Sequence, residues 1–117
     1  MFKRRAVGVD VVSLARIERA MERDILKSVC HHSELADGPF DVKDTARIWA
    51  AKEAVVKTLG TGFWQGGVDF PDVRVWPFDT VRLCGAALEV APNASFELHF
   101  SEIDGAMVAL ALRWEPA

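Results

Sequence analysis

Residues 46–60 read ARIWAAKEAVVKTLG, and this stretch decides the fold. Its apolar residues recur at steps of three and four positions and cover most of a helix's circumference, which predicts a buried helix. Asp41 is placed to cap the first turn of that helix, and Gly60 is placed to end it. We therefore predict one long helix over residues 41–59, with the rest of the chain folded around it.

Shorter elements are predicted on both sides of this helix. Residues 6–12, AVGVDVV, form an apolar run that predicts a buried strand, and Ser13 can cap a helix after it. Further strands are predicted at residues 73–76, 80–83, 96–100 and 106–114, short helices at 13–23, 25–30 and 86–90, and a polar loop at His31, His32 and Ser33. The predicted fold class is α+β, with a mainly antiparallel sheet packed on one long helix in a single domain over residues 1–117.

Composition and charge exclude several classes of protein. The chain has 117 residues, half of them hydrophobic, and a net charge of −3, which disfavours nucleic-acid binding by electrostatics. It lacks both a signal peptide and an apolar run long enough to span a membrane, so we expect a cytoplasmic protein. Cys30 and Cys84 have no metal-binding spacing, and two free thiols are favoured over a disulfide.

Asp10 is the first residue that points to chemistry. It lies inside the apolar run VGVDVV, residues 7–12, where an ionised and unpaired carboxylate costs several kcal/mol if buried. Such a residue needs a partner or a metal ion, unless it lies at the strand's end and caps the next helix. The first segment taken alone favours the capping role.

Glu53 and Lys57 change that interpretation. As an exposed pair four residues apart they would contribute a few tenths of a kcal/mol and carry no functional meaning. On a buried helix such charges are costly, and function is the usual reason for keeping them. Two carboxylates from separate elements, without a Cys/His set, suit a hard cation such as Mg²⁺, which often shares its shell with substrate phosphates. The sequence therefore predicts a metal–diphosphate site at Asp10, Glu53 and Lys57.

Two motifs resemble those of the holo-acyl-carrier-protein synthase family of 4′-phosphopantetheinyl transferases. GVDVVSLARIERAMER, residues 8–23, resembles the family's N-terminal motif, and AAKEAVVKTLGTG, residues 50–62, resembles its second motif. The pieces HHSEL and FPDVRV also fall where such proteins carry similar ones. The resemblance implies transfer of the 4′-phosphopantetheine arm of coenzyme A to a serine of an apo acyl carrier protein, in fatty-acid or polyketide synthesis. It also implies a homotrimer with active sites between subunits.

The same resemblance implies roles for individual residues. Asp10 and Glu53 would hold Mg²⁺, and Lys57 would neutralise phosphate charge, which makes these three the predicted catalytic residues. Glu53 or a metal-bound water would take the serine proton. The residues implied to bind coenzyme A are Lys57, Gly60, Arg47, His99 and Ser101. Those implied to bind the acidic helix of the carrier protein are Arg16, Arg19 and Arg23, a basic stripe suited to steering such a partner.

Three features depart from the family pattern. Ile48 stands where an arginine is usual, PFDT at residues 77–80 replaces an Asn-Gly-Lys-Pro turn, and Glu102 replaces a histidine. His99 also has a plain interpretation as a hydrogen-bonded strand histidine. An active transferase is the leading hypothesis, favoured by the retained Asp10. The alternatives are a degenerate member that binds carrier protein or forms a structural oligomer, and a small interaction module with incidental charges.

Overall fold

The computed structural model describes residues 2–60 and 67–116. Helices and strands alternate irregularly along the chain, with the longest helix near the middle. In chain order the elements are β1 (Phe2–Ser13), α1 (Leu14–Met21), α2 (Leu26–Val29), α3 (His32–Leu35), α4 (Val42–Thr58), a 3₁₀ turn (Phe70–Asp72), β2 (Val73–Arg74), β3 (Arg82–Leu83), α5 (Gly85–Val90), β4 (Ser95–Ile103) and β5 (Ala106–Pro116).

The main sheet has three antiparallel strands in the order β1-β5-β4. In the described ranges a second sheet pairs β2 with β3 in antiparallel orientation. The prediction of mixed helices and strands with an antiparallel sheet is confirmed. The strands predicted at residues 73–76 and 80–83 are shorter than expected, and they pair with each other rather than with the main sheet.

Helix α4 packs against one face of the main sheet, and its ends are those expected from the sequence. Asp41 caps it, since its carboxylate accepts a hydrogen bond from the Asp44 N–H at 2.7 Å. Gly60 follows the last turn with a φ of +78°, the left-handed conformation that glycine adopts without strain. The helix presents small, fully buried residues to the sheet, among them Ala50, Ala51 and Ala54. Small residues allow helix and sheet to approach closely.

Gly8 sets the distance between α4 and β1. A Cβ atom at this position would lie 2.0 Å from the Ala54 carbonyl oxygen and 3.1 Å from the Thr58 side chain. The backbones therefore approach more closely than any other residue would permit. Because Asp10 lies two residues further along β1, this close approach brings its carboxylate up to the helix.

The opposite face of the sheet is apolar and open in the single chain. Val7, Val9 and Val11 are 48%, 46% and 58% exposed. Their cross-strand partners on β5, which share the same face, are also apolar. We call this set the outer face; its residues are Val7, Val9, Val11, Val108, Leu110 and Leu112.

The prediction of a loop at residues 31–33 is wrong, because α3 begins there. The His31 ring accepts a hydrogen bond from the Ser33 N–H at 3.1 Å, and the Glu34 carboxylate accepts one from the His31 N–H at 2.9 Å. These two bonds form a reciprocal cap around the first turn. Histidine is not a usual capping residue, so the sequence carried little sign of this helix.

Other predicted elements differ from the structure only at their ends. Strand β1 extends beyond residues 6–12, and α1 stops at Met21 although Ser13 caps it as expected, through a 3.3 Å bond from the Arg16 N–H.

Cys30 and Cys84 are free, as predicted, and burial raises the pKa of Cys30 to about 11. Within the described ranges, no helix combines the length and hydrophobicity needed to cross a bilayer.

Candidate functional site

A cleft of about 480 Å³ lies between β1, α1 and α4. Its charged lining comes from all three elements, and its apolar lining includes Ile17, Ile25 and Trp49. The charged residues that line it are Asp10, Arg16, Arg23, Glu53 and Lys57. The structure thus brings together the three predicted catalytic residues and two of the three arginines predicted to meet the carrier protein.

Asp10 is held at the floor of this cleft by Lys57. The Lys57 ammonium donates to Asp10 Oδ1 at 3.1 Å and to the Val9 carbonyl at 2.7 Å. The Asp10 side chain is only 15% exposed, and its second oxygen, Oδ2, is buried without a hydrogen-bond partner in residues 2–60 and 67–116. A buried carboxylate oxygen without a partner is costly, so this atom is available to a ligand that supplies positive charge.

Glu53 is the second carboxylate of the cleft. Burial, reinforced by the negative charge of Asp10, raises its pKa, although the Lys57 charge opposes the shift. A divalent cation placed between two neighbouring carboxylates offsets their negative charges. We refer to Asp10, Glu53 and Lys57 as the open cluster.

The donor set of the open cluster fits Mg²⁺. This ion is usually bound through one or two carboxylates and completes its shell with water and substrate phosphate oxygens. Asp10 and Glu53 would therefore hold the ion jointly with the substrate.

The expectation that Glu53 and Lys57 are buried needs correction. Helix α4 itself is buried, but Glu53 is half-buried and the Lys57 side chain is 51% exposed. The fully buried charge on this helix is Lys52, with a side chain 0% exposed, and it pairs with Glu34, 1% exposed, at 2.7 Å. The sequence interpretation assigned no role to either residue of this pair.

The Lys52–Glu34 pair, which we call the closed cluster, has a complete set of hydrogen bonds. Lys52 donates its three protons to Glu34 Oε1, the Phe70 carbonyl at 3.1 Å and the Val73 carbonyl at 2.5 Å. Glu34 Oε2 accepts from the N–H groups of Val75 and Trp76 at 2.9 and 3.0 Å. Burial alone would raise the pKa of Glu34, but the Lys52 charge and these hydrogen bonds lower it. The cluster ties α3, α4 and the region around β2 together.

Several predicted site residues lie outside the cleft in the single chain. Arg19 is exposed on α1 and does not line it, and Arg47 pairs instead with Asp44 at 2.9 Å. Gly60 lies beyond the end of α4. His99 and Ser101 are exposed on β4, where the His99 ring lies 2.7 Å from Glu97.

The positions that depart from the family pattern also have definite places. Ile48 is fully buried in the core, so it cannot contact a phosphate. Glu102 is exposed and pairs with Lys43 at 2.9 Å. Thr61 and Gly62, the last residues of the second motif, lie outside the described residues. Trp49, which the sequence interpretation did not single out, lines the cleft and packs on Phe70 with ring centroids 4.9 Å apart.

Comparison with known proteins identifies the family. The family model of the 4′-phosphopantetheinyl transferase superfamily matches residues 6–111 of this chain. The chain belongs to this superfamily. The resemblance seen in the two motifs is therefore confirmed, and so is the predicted enzyme class, a phosphopantetheinyl transferase.

Individual relatives agree with this assignment. A holo-[acyl-carrier-protein] synthase of Chlorobaculum tepidum is 31% identical over 116 residues, covering 94% of this chain and 97% of the relative. The synthase of Roseiflexus sp. is 38% identical over 92 residues, or 68% of this chain and 67% of the relative. The crystal structure of Helicobacter pylori holo-[acyl-carrier-protein] synthase in complex with coenzyme A matches with a TM-score of 0.77 at 24% identity. It covers 92% of this chain and 99% of the H. pylori protein, and it shows the shared fold.

Proposed function

We propose that this transferase moves the 4′-phosphopantetheine group of coenzyme A to a serine of an apo acyl carrier protein, using Mg²⁺ held by Asp10 and Glu53. The observation that carries the proposal is the open cluster, where a buried oxygen of Asp10 has no hydrogen-bond partner within residues 2–60 and 67–116 and lies in one cleft with a second carboxylate and a lysine. The names of the relatives and the coenzyme A bound to the H. pylori protein support the substrate pair.

The reaction replaces one phosphorus–oxygen bond with another. The serine oxygen bonds to the phosphorus that carries pantetheine, the bond to the bridging oxygen of the pyrophosphate breaks, and adenosine 3′,5′-bisphosphate leaves. When bound, Mg²⁺ supplies charge neutralisation for the pyrophosphate oxygens. Lys57 is fixed by Asp10 and the Val9 carbonyl, so its ammonium adds a second, oriented positive charge. Most of the rate gain then comes from positioning and electrostatics.

The serine must also lose a proton during transfer. Glu53 lines the cleft beside Asp10, so its carboxylate lies where the serine hydroxyl would enter. We propose it as the base, acting while the serine is held against the cleft. Because Glu53 would both hold the metal and accept the proton, its substitution should reduce transfer more than that of any other residue in the cleft.

The carrier protein is proposed to dock beside α1. Arg16 and Arg23 line the cleft, whereas Arg19 lies on the exposed surface of the same helix. An acidic helix laid along this stripe would be steered by all three charges and would present its serine to the cleft.

Fatty-acid or polyketide synthesis is the proposed context, and the free thiols of Cys30 and Cys84 suit the reducing cytoplasm.

A homotrimer is proposed to form through the outer face. This face is a continuous apolar surface on two neighbouring strands, which favours burial against another copy. His99 and Ser101 lie on β4, the strand next to β5. In the trimer these two residues would lie near the cleft of a neighbouring subunit. We propose that they contact coenzyme A there, together with Arg47 and Gly60. Light scattering at several concentrations tests this, and Val9→Glu is expected to give monomers. A monomeric wild-type protein would contradict it.

The decisive experiment for transfer measures the mass of the carrier protein. The chain is incubated with coenzyme A, Mg²⁺ and several apo carrier proteins, and we expect the mass increment of one phosphopantetheine. Asp10→Asn and Glu53→Gln should abolish it, whereas Lys27→Gln, an exposed control, should not. Because Ile48 removes one usual phosphate contact, a non-catalytic carrier-binding protein is the alternative function. Carrier binding without any increment would establish that alternative.

A further inference from the structure

A second cavity, of about 220 Å³, lies beside the turn that connects β2 and β3. Its lining residues are Arg74, Trp76, Pro77, Asp79, Thr80 and Arg82, none of which lines the cleft of the open cluster. Pockets for whole drug-sized molecules occupy roughly 300–1,000 Å³, so this cavity suits a smaller group. We propose that it binds the phosphoryl group of a phosphate or phosphate ester between Arg74 and Arg82.

The two arginines are placed against each other by the sheet. Arg74 and Arg82 are direct cross-strand partners in the antiparallel pair, so their side chains share one face. Like charges in this position destabilise a sheet, and neither guanidinium forms an ion pair within the described ranges. An anion between them removes the repulsion.

Arg74 has unused hydrogen-bonding capacity inside the structure. Its Nε atom is buried and has no hydrogen-bond partner among the residues placed by the structure. Arginine guanidinium groups match the oxygens of phosphate through paired N–H donors. Two such groups supply two positive charges, which suit the dianion of a phosphoryl group better than a single carboxylate.

The remaining wall of the cavity is rigid and partly strained. Phe78 has a φ of +81°, unusual for a bulky residue, and its ring packs against Trp76 and Phe100 at 5.1 and 5.0 Å. The Trp76 N–H is also held by Glu34 of the closed cluster at 3.0 Å. A backbone fixed in this way positions the cavity wall before a ligand arrives.

Substitutions of Asp79 and of the two arginines should change phosphate affinity in opposite directions. This carboxylate lines the cavity, so it opposes anion binding. Inorganic phosphate is titrated at constant ionic strength, without divalent metal, and followed by ³¹P NMR. Arg74→Gln and Arg82→Gln should each weaken binding roughly tenfold, whereas Asp79→Asn should strengthen it several-fold. Lys27→Gln, which removes an exposed charge elsewhere, should leave the affinity unchanged.

The same titrations in a Lys57→Gln background separate this cavity from the cleft, and the arginine effects should persist there. Because Arg82→Gln relieves a repulsion, its melting temperature without phosphate should equal or exceed that of the wild type. Phosphate affinity that is the same in the wild type and both arginine variants, or is weakened by Asp79→Asn, overturns the proposal.

The source of the phosphate is then distinguished with two coenzymes. If Arg82→Gln weakens coenzyme A but not dephospho-coenzyme A, the occupant is the 3′-phosphate of the nucleotide. If it weakens neither, the occupant is free phosphate or a small phosphate ester. These binding measurements need no carrier protein. If phosphate does not bind, the proposal of transfer to the carrier protein still stands, and if no transfer occurs, the proposal of a phosphate site still stands.

Discussion

Two charged clusters meet helix α4, and they differ in how completely their polar atoms are paired. Lys52 in the closed cluster is fully buried and donates to three oxygens, and Glu34 is matched by backbone N–H groups as well as by the lysine. The open cluster, whose helix residues Glu53 and Lys57 follow Lys52, leaves Asp10 Oδ2 buried without a hydrogen-bond partner among the described residues and Lys57 half exposed. Completely paired buried charges hold a fold together, whereas an incompletely paired set is prepared for a ligand.

The largest effect is expected from breaking the closed cluster. Lys52→Met leaves the buried Glu34 carboxylate without its positive partner and removes the lysine donor from the Phe70 and Val73 carbonyls. The free energy of unfolding should fall by about 3–5 kcal/mol, measured by urea denaturation.

Lys57→Met is the matched control on the same helix. It makes the same chemical change at a half-exposed position but takes the lysine from Asp10, which is only 15% exposed, so the unfolding free energy should fall by about 1–2 kcal/mol, less than for Lys52→Met. Transfer to the carrier protein should nevertheless be lost. Equal destabilisation by the two substitutions would refute the distinction between the clusters.

Gly8→Ala tests how the open cluster is positioned. The added Cβ would lie 2.0 Å from the Ala54 carbonyl oxygen, so β1 and α4 must separate. We expect a loss of about 1–3 kcal/mol in unfolding free energy, together with weaker Mg²⁺ binding because Asp10 moves away from Glu53. Gly38→Ala is the control, since its nearest atoms lie 3.4 Å or more from the new Cβ. A fully stable Gly8→Ala protein would show that the close approach is not required.

Asp10→Asn should separate stability from function. Asparagine keeps an oxygen that can accept from Lys57 and removes the charge shared with Oδ2, which is buried without a hydrogen-bond partner among the described residues. The unfolding free energy should therefore stay unchanged or rise by up to about 1 kcal/mol. Mg²⁺ affinity should fall by at least about tenfold, which isothermal calorimetry can measure. A large loss of stability would mean that Asp10 supports the fold rather than the site.

The smallest effect concerns pH. Because burial and Asp10 raise the pKa of Glu53, the folded protein binds this proton more tightly than the unfolded chain. Without metal, the contribution of Glu53 to stability should therefore decline as pH rises from the ordinary pKa of 4.5 through the raised pKa. Mg²⁺ affinity should rise over the same pH window, because the ion binds the ionised carboxylate. Melting temperatures measured against pH, without and with Mg²⁺, should show these two changes in the wild type. Glu53→Gln should show neither.

The sequence predicted the open cluster because its signals are local. The period of residues 46–60 predicts α4, the apolar run predicts β1, and a charge in either is conspicuous against apolar neighbours. The closed cluster was not predictable in this way, since Glu34 lies 18 residues from Lys52 on a helix that begins with an unusual histidine cap. The pairing of Arg74 with Arg82 likewise depends on a register that two-residue strands do not reveal.

The most direct test of the central claim is the binding of coenzyme A with and without Mg²⁺. We expect Mg²⁺ to strengthen coenzyme A binding by at least about tenfold in the wild type and to have no effect in Asp10→Asn, a variant that we expect to be at least as stable as the wild type. The closed cluster plays no part in this measurement, so the result reports on the open cluster alone. Coenzyme A binding that does not depend on Mg²⁺ in the wild type, or depends on it equally in Asp10→Asn, would contradict the account.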